Sequence, residues 1–195
     1  MSGVEQEPSP FNLPNALTVI RLVLVPVFAW TLFVHPTDLL WRLAATAVFI
    51  VAIVTDAFDG HLARKYNLIT RFGKIWDPIA DKALTGMAFI GLSILGELPW
   101  WITLIILARE WGITWIRVAM LKYGVMVANK GGKLKTILQS IALILFLPGL
   151  PLLPVPLQWA AWTVMIAAFA LTVMTGVDYV REAILLRRQG RSGGQ

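Results

Sequence analysis

Six apolar stretches, separated by short connections that collect most of the charge, constrain this chain more than any other feature. They run from about Asn15 to Val34, Leu39 to Thr55, Ala83 to Leu95, Trp100 to Leu121, Thr136 to Leu150 and Leu157 to Val177. A helix that crosses a bilayer needs about 20 predominantly apolar residues, and several of these runs are shorter. Each short one extends into a flanking polar turn. The second continues through Asp56–Lys65, the third starts near Asp77, the fifth near Gly132, and the sixth continues through Tyr179–Arg188. Asp77 followed by Pro78 suits a helix start, with a side-chain cap and a proline in the first turn. The uncharged, proline-rich run from Pro148 to Pro156 separates the last two helices. The expected fold is all-α: an integral-membrane bundle of six transmembrane helices.

Composition supports this reading. Of the 195 residues, 57% are apolar and only 14% charged, with a mean hydropathy of +0.72; soluble domains carry about 25% charged residues. Residues 1–195 are expected to form a single domain, with 1–11 a polar N-terminal segment and 188–195 a mobile polar tail. The absence of cysteine excludes disulfides, thiolate catalysis and cysteine metal ligands. The net charge of +6 fits loops at anionic lipid headgroups and not nucleic acid. The first ten residues carry Glu5 and Glu7 but no Lys or Arg, the wrong flank for a signal peptide, so the first span is expected to stay in the mature protein. With six spans and the N-terminus inside, Arg64, Lys65, Arg71, Lys74, Lys122, Lys130, Lys133, Lys135, Arg187, Arg188 and Arg191 fall on one side. Arg42, near an interface, is alone on the other. The bias towards basic cytoplasmic loops places both termini in the cytoplasm, in a multi-pass protein of the cell membrane.

The chemistry sits where lipid tolerates it least. Asp56, Asp59, Asp77 and Asp81 lie at the cytoplasmic ends of the second and third spans. Charge at membrane depth costs several kcal/mol unless it faces a cavity or a partner. Asp56 and Asp59 are three apart, Asp77 and Asp81 four apart, so each pair shares one helix face. Two such helices meeting would gather four carboxylates, which protons or cations must neutralise. Hard oxygen donors without His or Cys favour magnesium or manganese over zinc, and a carboxylate cluster holding two ions serves phosphoryl displacement.

Asp56-x-x-Asp59-Gly60-x-x-Ala63-Arg64, then eight residues, then Gly73-x-x-x-Asp77-x-x-x-Asp81 resembles the full signature of the CDP-alcohol phosphatidyltransferase family. Eight fixed positions match a random window about once in 10⁹–10¹⁰ at average residue usage. The resemblance implies that Asp56, Asp59 and Asp77 are metal ligands, with Asp81 shared between metal coordination and proton abstraction, and that two Mg²⁺ or Mn²⁺ ions are held. It implies that Gly60, Ala63 and Gly73 give clearance to the cytidine and its phosphates, since glycine admits a ligand close to the backbone. Arg64 would meet a diphosphate oxygen, which guanidinium geometry matches. Close helix packing in lipid is the other use of such small residues. The opening Pro14-Asn15-x-Leu17-Thr18-x-x-Arg21 resembles the same family. Asn15, Thr18 and Arg21 face one way, and Asn15 and Thr18 are expected to contact CDP-diacylglycerol. Capping by Asn15 and snorkelling by Arg21 are the alternative.

The second half bears on the acceptor. Ala108-Arg109-Glu110, Arg117 and Gly132-Lys133-x-Lys135-Thr136-x-x-Gln139 resemble the bacterial branch of that family that uses glycerol 3-phosphate. Arg109 and Arg117 lie about 12 Å apart along one helical stripe, and buried arginines need an anion. Glu110, adjacent in sequence, is expected to point elsewhere, so Arg109, Arg117, Lys133 and Lys135 are expected to bind the acceptor phosphate. The alternative for the lysines is contact with lipid headgroups. The implied reaction moves the phosphatidyl group from CDP-diacylglycerol to glycerol 3-phosphate by direct displacement, as no Cys, activated Ser or suitably placed His points to a covalent intermediate. Neither His35 nor His61 is assigned chemistry. The resemblance also implies a homodimer. Sibling acceptors, phosphatidylglycerol (giving cardiolipin) or inositol phosphate, remain open. So does a metal-ion transporter, although transporters show internal repeats and midplane sites and this chain has neither.

Overall fold

The computed structural model describes residues 13–65, 71–120 and 130–192, and their side chains except at 13–14, 57–65, 71–75, 117–120, 130–133 and 186–192. The described residues are all-helical: α1 (Leu13–Val34), α2 (Leu39–Lys65), α3 (Arg71–Ile94), α4 (Trp100–Met120), α5 (Lys130–Phe146) and α6 (Val155–Ser192), with a 3₁₀ turn at Leu150–Leu152. Among the described residues three segments are long and apolar enough to cross a membrane: Asn15–Val34, Leu39–Asp56 and Val155–Leu185. Large apolar side chains face outward along them, among them Val23, Trp30, Leu40, Val51, Trp159 and Met174. A chain surrounded by lipid has no reason to hide such groups.

The chain divides into two compact units. The first comprises residues 1–91 and 147–152. Asp38 opens α2 as its cap: Leu40 N donates to Asp38 Oδ1 at 2.7 Å, and Arg42 N to the Asp38 carbonyl at 3.0 Å. The ring contacts Trp30–Trp41 (5.3 Å) and Phe28–Phe49 (5.6 Å) and the ion pair Arg21–Asp56 run in opposite chain directions. Helices α1 and α2 are therefore an antiparallel hairpin, with Arg21 and Asp56 at the same end. At the other end Arg42 is fully buried. Its Nε donates to the Leu147 carbonyl at 2.6 Å, satisfying an acceptor just past a helix end. Gly149 turns there with φ of 96°. A Cβ at that position would stand 3.1 Å from Leu152 Cδ1 and 3.7 Å from Arg42 Cζ.

Helix α3 approaches α1 closely at Gly91, where a Cβ would lie 2.5 Å from Leu32 Cδ2. Leu32 is fully buried, so it has little room to swing. Gly91→Val is expected to cost about 1–3 kcal/mol by overpacking, read as a lower melting temperature of the purified protein in detergent. An unchanged melting temperature would show that α1 and α3 can part at this point.

The second unit comprises residues 92–146 and 153–195. Trp101 meets Phe169 edge-on at 5.3 Å, and Ile113 packs with Tyr179 and Ala183, so α4 and α6 run parallel. Phe146–Trp162 (5.1 Å) and the Gln139–Thr172 hydrogen bond (2.9 Å) set α5 antiparallel to α6.

Element boundaries depart from expectation in two places. Helix α3 begins at Arg71, not at Asp77, and carries Pro78 inside it. The missing proline N–H removes one helical hydrogen bond without ending the helix. Helix α6 runs to Ser192, beyond the start expected for the tail; residues 193–195 lie outside the described residues.

Candidate active site

One face of α1 organises the carboxylate end of the first unit. Asn15, Thr18 and Arg21 are all buried, Arg21 completely. Their spacing of three brings them to one side of the helix. Arg21 Nη1 lies 2.5 Å from Asp56 Oδ1 on α2, and Thr18 Oγ1 donates to Asp77 Oδ1 on α3 at 2.5 Å. Two successive polar side chains of α1 thus hold one carboxylate each from the two helices that bear the signature. Thr18, expected at the lipid nucleotide, donates its hydroxyl to Asp77. Arg21, noted in the sequence only as a polar neighbour, is the ion-pair partner of Asp56. A buried arginine spaced from Thr18 was the signal; its partner was not readable.

Asp81 lies one turn beyond Asp77 on α3, half-buried, and its carbonyl accepts from Thr85 Oγ1 at 2.9 Å. Asp59, Gly60, Ala63 and Arg64 fall on α2 and Gly73 on α3, with side chains outside the described residues. Among the described residues no three carboxylate or imidazole groups stand together closely enough to hold a metal ion. The donor set suits a hard divalent cation, being all carboxylate oxygen. Each carboxylate has about four lone-pair sites, so engagement of one oxygen by Arg21 or Thr18 leaves capacity for a metal at the other.

The second unit carries a separate charged cluster. Glu110 Oε1 accepts from Arg109 Nη1 at 3.1 Å and from Lys135 Nζ. The expectation that Glu110 points away from Arg109 is therefore wrong. Neighbouring residues diverge around a helix, but these two side chains are long enough to curl back toward each other. Arg109 Nη2 donates to Thr175 Oγ1 of α6 at 2.9 Å, while its Nε is buried with no acceptor among the described residues. Gly176 makes room for this arginine: a Cβ there would stand 3.1 Å from Arg109 Cγ. Lys135 is buried. Arg109 and Lys135 thus meet on one carboxylate oxygen of Glu110. Arg117 on α4 and Lys133 on α5 have side chains outside the described residues.

A family model described as CDP-alcohol phosphatidyltransferase matches residues 11–174, a span that includes parts of both units. A probable phosphatidylglycerophosphate synthase of Mycobacterium tuberculosis is 53% identical over 176 residues, covering 89% of this chain and 82% of the relative. A CDP-diacylglycerol–glycerol-3-phosphate 3-phosphatidyltransferase of Bacillus subtilis is 38% identical over 184 residues, covering 87% and 93%. One from Escherichia coli is 35% identical over 182 residues, covering 89% and 95%.

Proposed function

Because this chain belongs to the CDP-alcohol phosphatidyltransferase family, we propose that it transfers the phosphatidyl group of CDP-diacylglycerol to sn-glycerol 3-phosphate, giving phosphatidylglycerophosphate and CMP. The observation that carries this reading is the anchoring of Asp56 and Asp77 by Arg21 and Thr18, which prearranges carboxylates from both signature helices. The relatives' names supply the substrates.

Asp56, Asp59, Asp77 and Asp81 would hold the divalent metal, Mg²⁺ or Mn²⁺, two ions in all. Bound there, the metal would neutralise the diphosphate and the charge that develops on its β-phosphorus. Gly60, Ala63 and Gly73 admit the nucleotide close to the helices, with Asn15 beside it, and the Arg64 guanidinium grips the diphosphate. Asp81 takes the proton from the acceptor hydroxyl. The oxygen so freed attacks the β-phosphorus, a new P–O bond forms, and the bond to the CMP phosphate breaks, with CMP leaving on its oxygen.

The acceptor phosphate falls to Arg109, Arg117, Lys133 and Lys135. The buried Arg109 Nε, which has no acceptor among the described residues, supports a role for this cluster in receiving an anion, because an unmet buried donor is expensive. We read the chain as six-spanning, with both termini and the active site on the cytoplasmic side of the cell membrane and the acyl chains remaining in lipid. The concentration of Lys and Arg in the connections of one side supports this. The family resemblance implies a homodimer.

The test is CMP release from CDP-diacylglycerol by the purified protein, with glycerol 3-phosphate, phosphatidylglycerol, inositol phosphate and plain glycerol as acceptors. Glycerol 3-phosphate is expected to be used far better than the rest. A preference for phosphatidylglycerol would replace the phosphate pocket with a lipid acceptor site. Metal-dependent movement of ions without CMP release would favour a transporter. In the same assay, Lys135→Met or Arg117→Ala is expected to raise KM for glycerol 3-phosphate by about tenfold or more through loss of a charge-assisted contact, with KM for CDP-diacylglycerol little changed. Arg117→Lys should rescue only in part, since an ammonium cannot reproduce the guanidinium fork.

A further inference from the structure

Glu110 stands between two cations that would otherwise repel. Its Oε1 accepts from Arg109 on its own helix and from Lys135 on α5, while Thr175 of α6 holds the far side of the Arg109 guanidinium. The three charged side chains are 12%, 21% and 6% exposed for Arg109, Glu110 and Lys135, so their charges are weakly screened. The trio keeps one positive charge in excess. An arginine has five N–H donors. Glu110 and Thr175 take one each in this cluster, and Nε has no acceptor among the described residues.

We infer that Glu110 is a positioning residue for the transfer reaction: by accepting from both Arg109 and Lys135, its carboxylate holds the two cations at the spacing that receives the acceptor's phosphate. This rests on the reading of Arg109 and Lys135 as acceptor-phosphate ligands. Both side chains are long and flexible, and without Glu110 their mutual repulsion would drive them apart before the acceptor arrives. The acceptor would then have to reassemble its own pocket, which weakens its binding and leaves the nucleotide lipid untouched. Preorganisation of this kind acts on affinity by removing an ordering cost from the binding step.

The experiment compares Glu110→Gln, Glu110→Asp and Lys135→Met in the purified full chain. It varies glycerol 3-phosphate at saturating CDP-diacylglycerol and the reverse, and records melting temperature with and without glycerol 3-phosphate. Glu110→Gln is expected to raise KM for glycerol 3-phosphate about tenfold, to leave KM for CDP-diacylglycerol and kcat at saturating acceptor unchanged, and to shift protection against melting to correspondingly higher glycerol 3-phosphate. Glu110→Asp keeps the charge but is one methylene shorter, and should recover part of the loss. A lower melting temperature with an unchanged KM would make Glu110 a fastener between α4 and α5 and overturn the inference. If Lys135→Met raises KM and Glu110→Gln does not, the positioning role fails and the pocket stands. If Lys135→Met leaves KM unchanged, the pocket itself fails and takes the inference with it. Should Glu110→Gln not accumulate in the membrane, Glu110→Asp decides alone: a several-fold rise in KM supports the inference, and an unchanged KM overturns it.

Discussion

Asp77→Asn is expected to lower the rate of CMP release by about three orders of magnitude, the scale set by losing several kcal/mol of charge stabilisation in the transition state. Asparagine keeps the size of the side chain and can still accept from Thr18 Oγ1, which holds the carboxylate at 2.5 Å. What it removes is the hard anionic oxygen that a divalent cation requires. Asp59→Asn and Asp56→Asn should behave alike for the same reason. Asp81→Asn should abolish turnover while leaving CDP-diacylglycerol binding measurable, because proton removal from the acceptor is lost and the nucleotide contacts remain. Removing metal with a chelator should reproduce the loss in the unmodified chain, and adding back magnesium or manganese should restore it. Thr18→Val serves as the contrast: one hydrogen bond to a charged group is worth about 1.5–3 kcal/mol, so its effect should be clearly smaller than that of Asp77→Asn. A variant of any of the four aspartates that kept near-normal activity at low metal would remove that residue from the site.

Arg21→Met is expected to raise the metal concentration needed for half-maximal CMP release by about 10–100-fold, the usual penalty for deleting a group that orients a metal ligand. Arg21 is fully buried, whereas the Asp56 side chain is 41% exposed. The loss of Arg21 therefore leaves Asp56 partly solvated, not stranded in a dry interior, and the electrostatic cost to folding is correspondingly moderate. Methionine fills much of the vacated volume and limits the cavity penalty. Orientation of Asp56 is what goes. Arg21→Lys should restore part of the metal affinity, since it returns the charge without the planar fork. If the metal dependence stays as it was while only the melting temperature falls, Arg21 is a packing residue and the second layer of the site must be sought elsewhere.

Much of this was legible in the sequence because it depends on local periodicity. Apolar runs interrupted by prolines and short polar connections set six helices to within a few residues, and the uncharged Pro148–Pro156 run marks where α5 gives way to α6. Spacings of three and four put Asn15, Thr18 and Arg21 on one face of α1 and paired the aspartates along α2 and α3, since positions three or four apart are neighbours on any helix. The start of α3 was misplaced for an equally local reason. A proline after an aspartate carries a start signal, yet a helix with enough turns on both sides absorbs one missing hydrogen bond.

What spacing within one helix cannot express is which residue on another helix will be met. Thr18 finds Asp77 across 59 residues, Arg42 finds the Leu147 carbonyl across 105, and Arg109 finds Thr175 across 66. Glu110 reaches Lys135 across 25, although its place beside Arg109 suggested that it pointed away. The sequence by itself determined the helices, because these follow from the intrinsic period of the backbone and the solvation of side chains, and it pointed to the carboxylates and the one-sided charge that the proposed function uses. Only the tertiary structure decided that Arg21 serves Asp56, that Thr18 serves Asp77 and that Glu110 bridges two cations. Those pairings depend on how helices register against one another, and buried polar groups must then take the partners that packing leaves within reach.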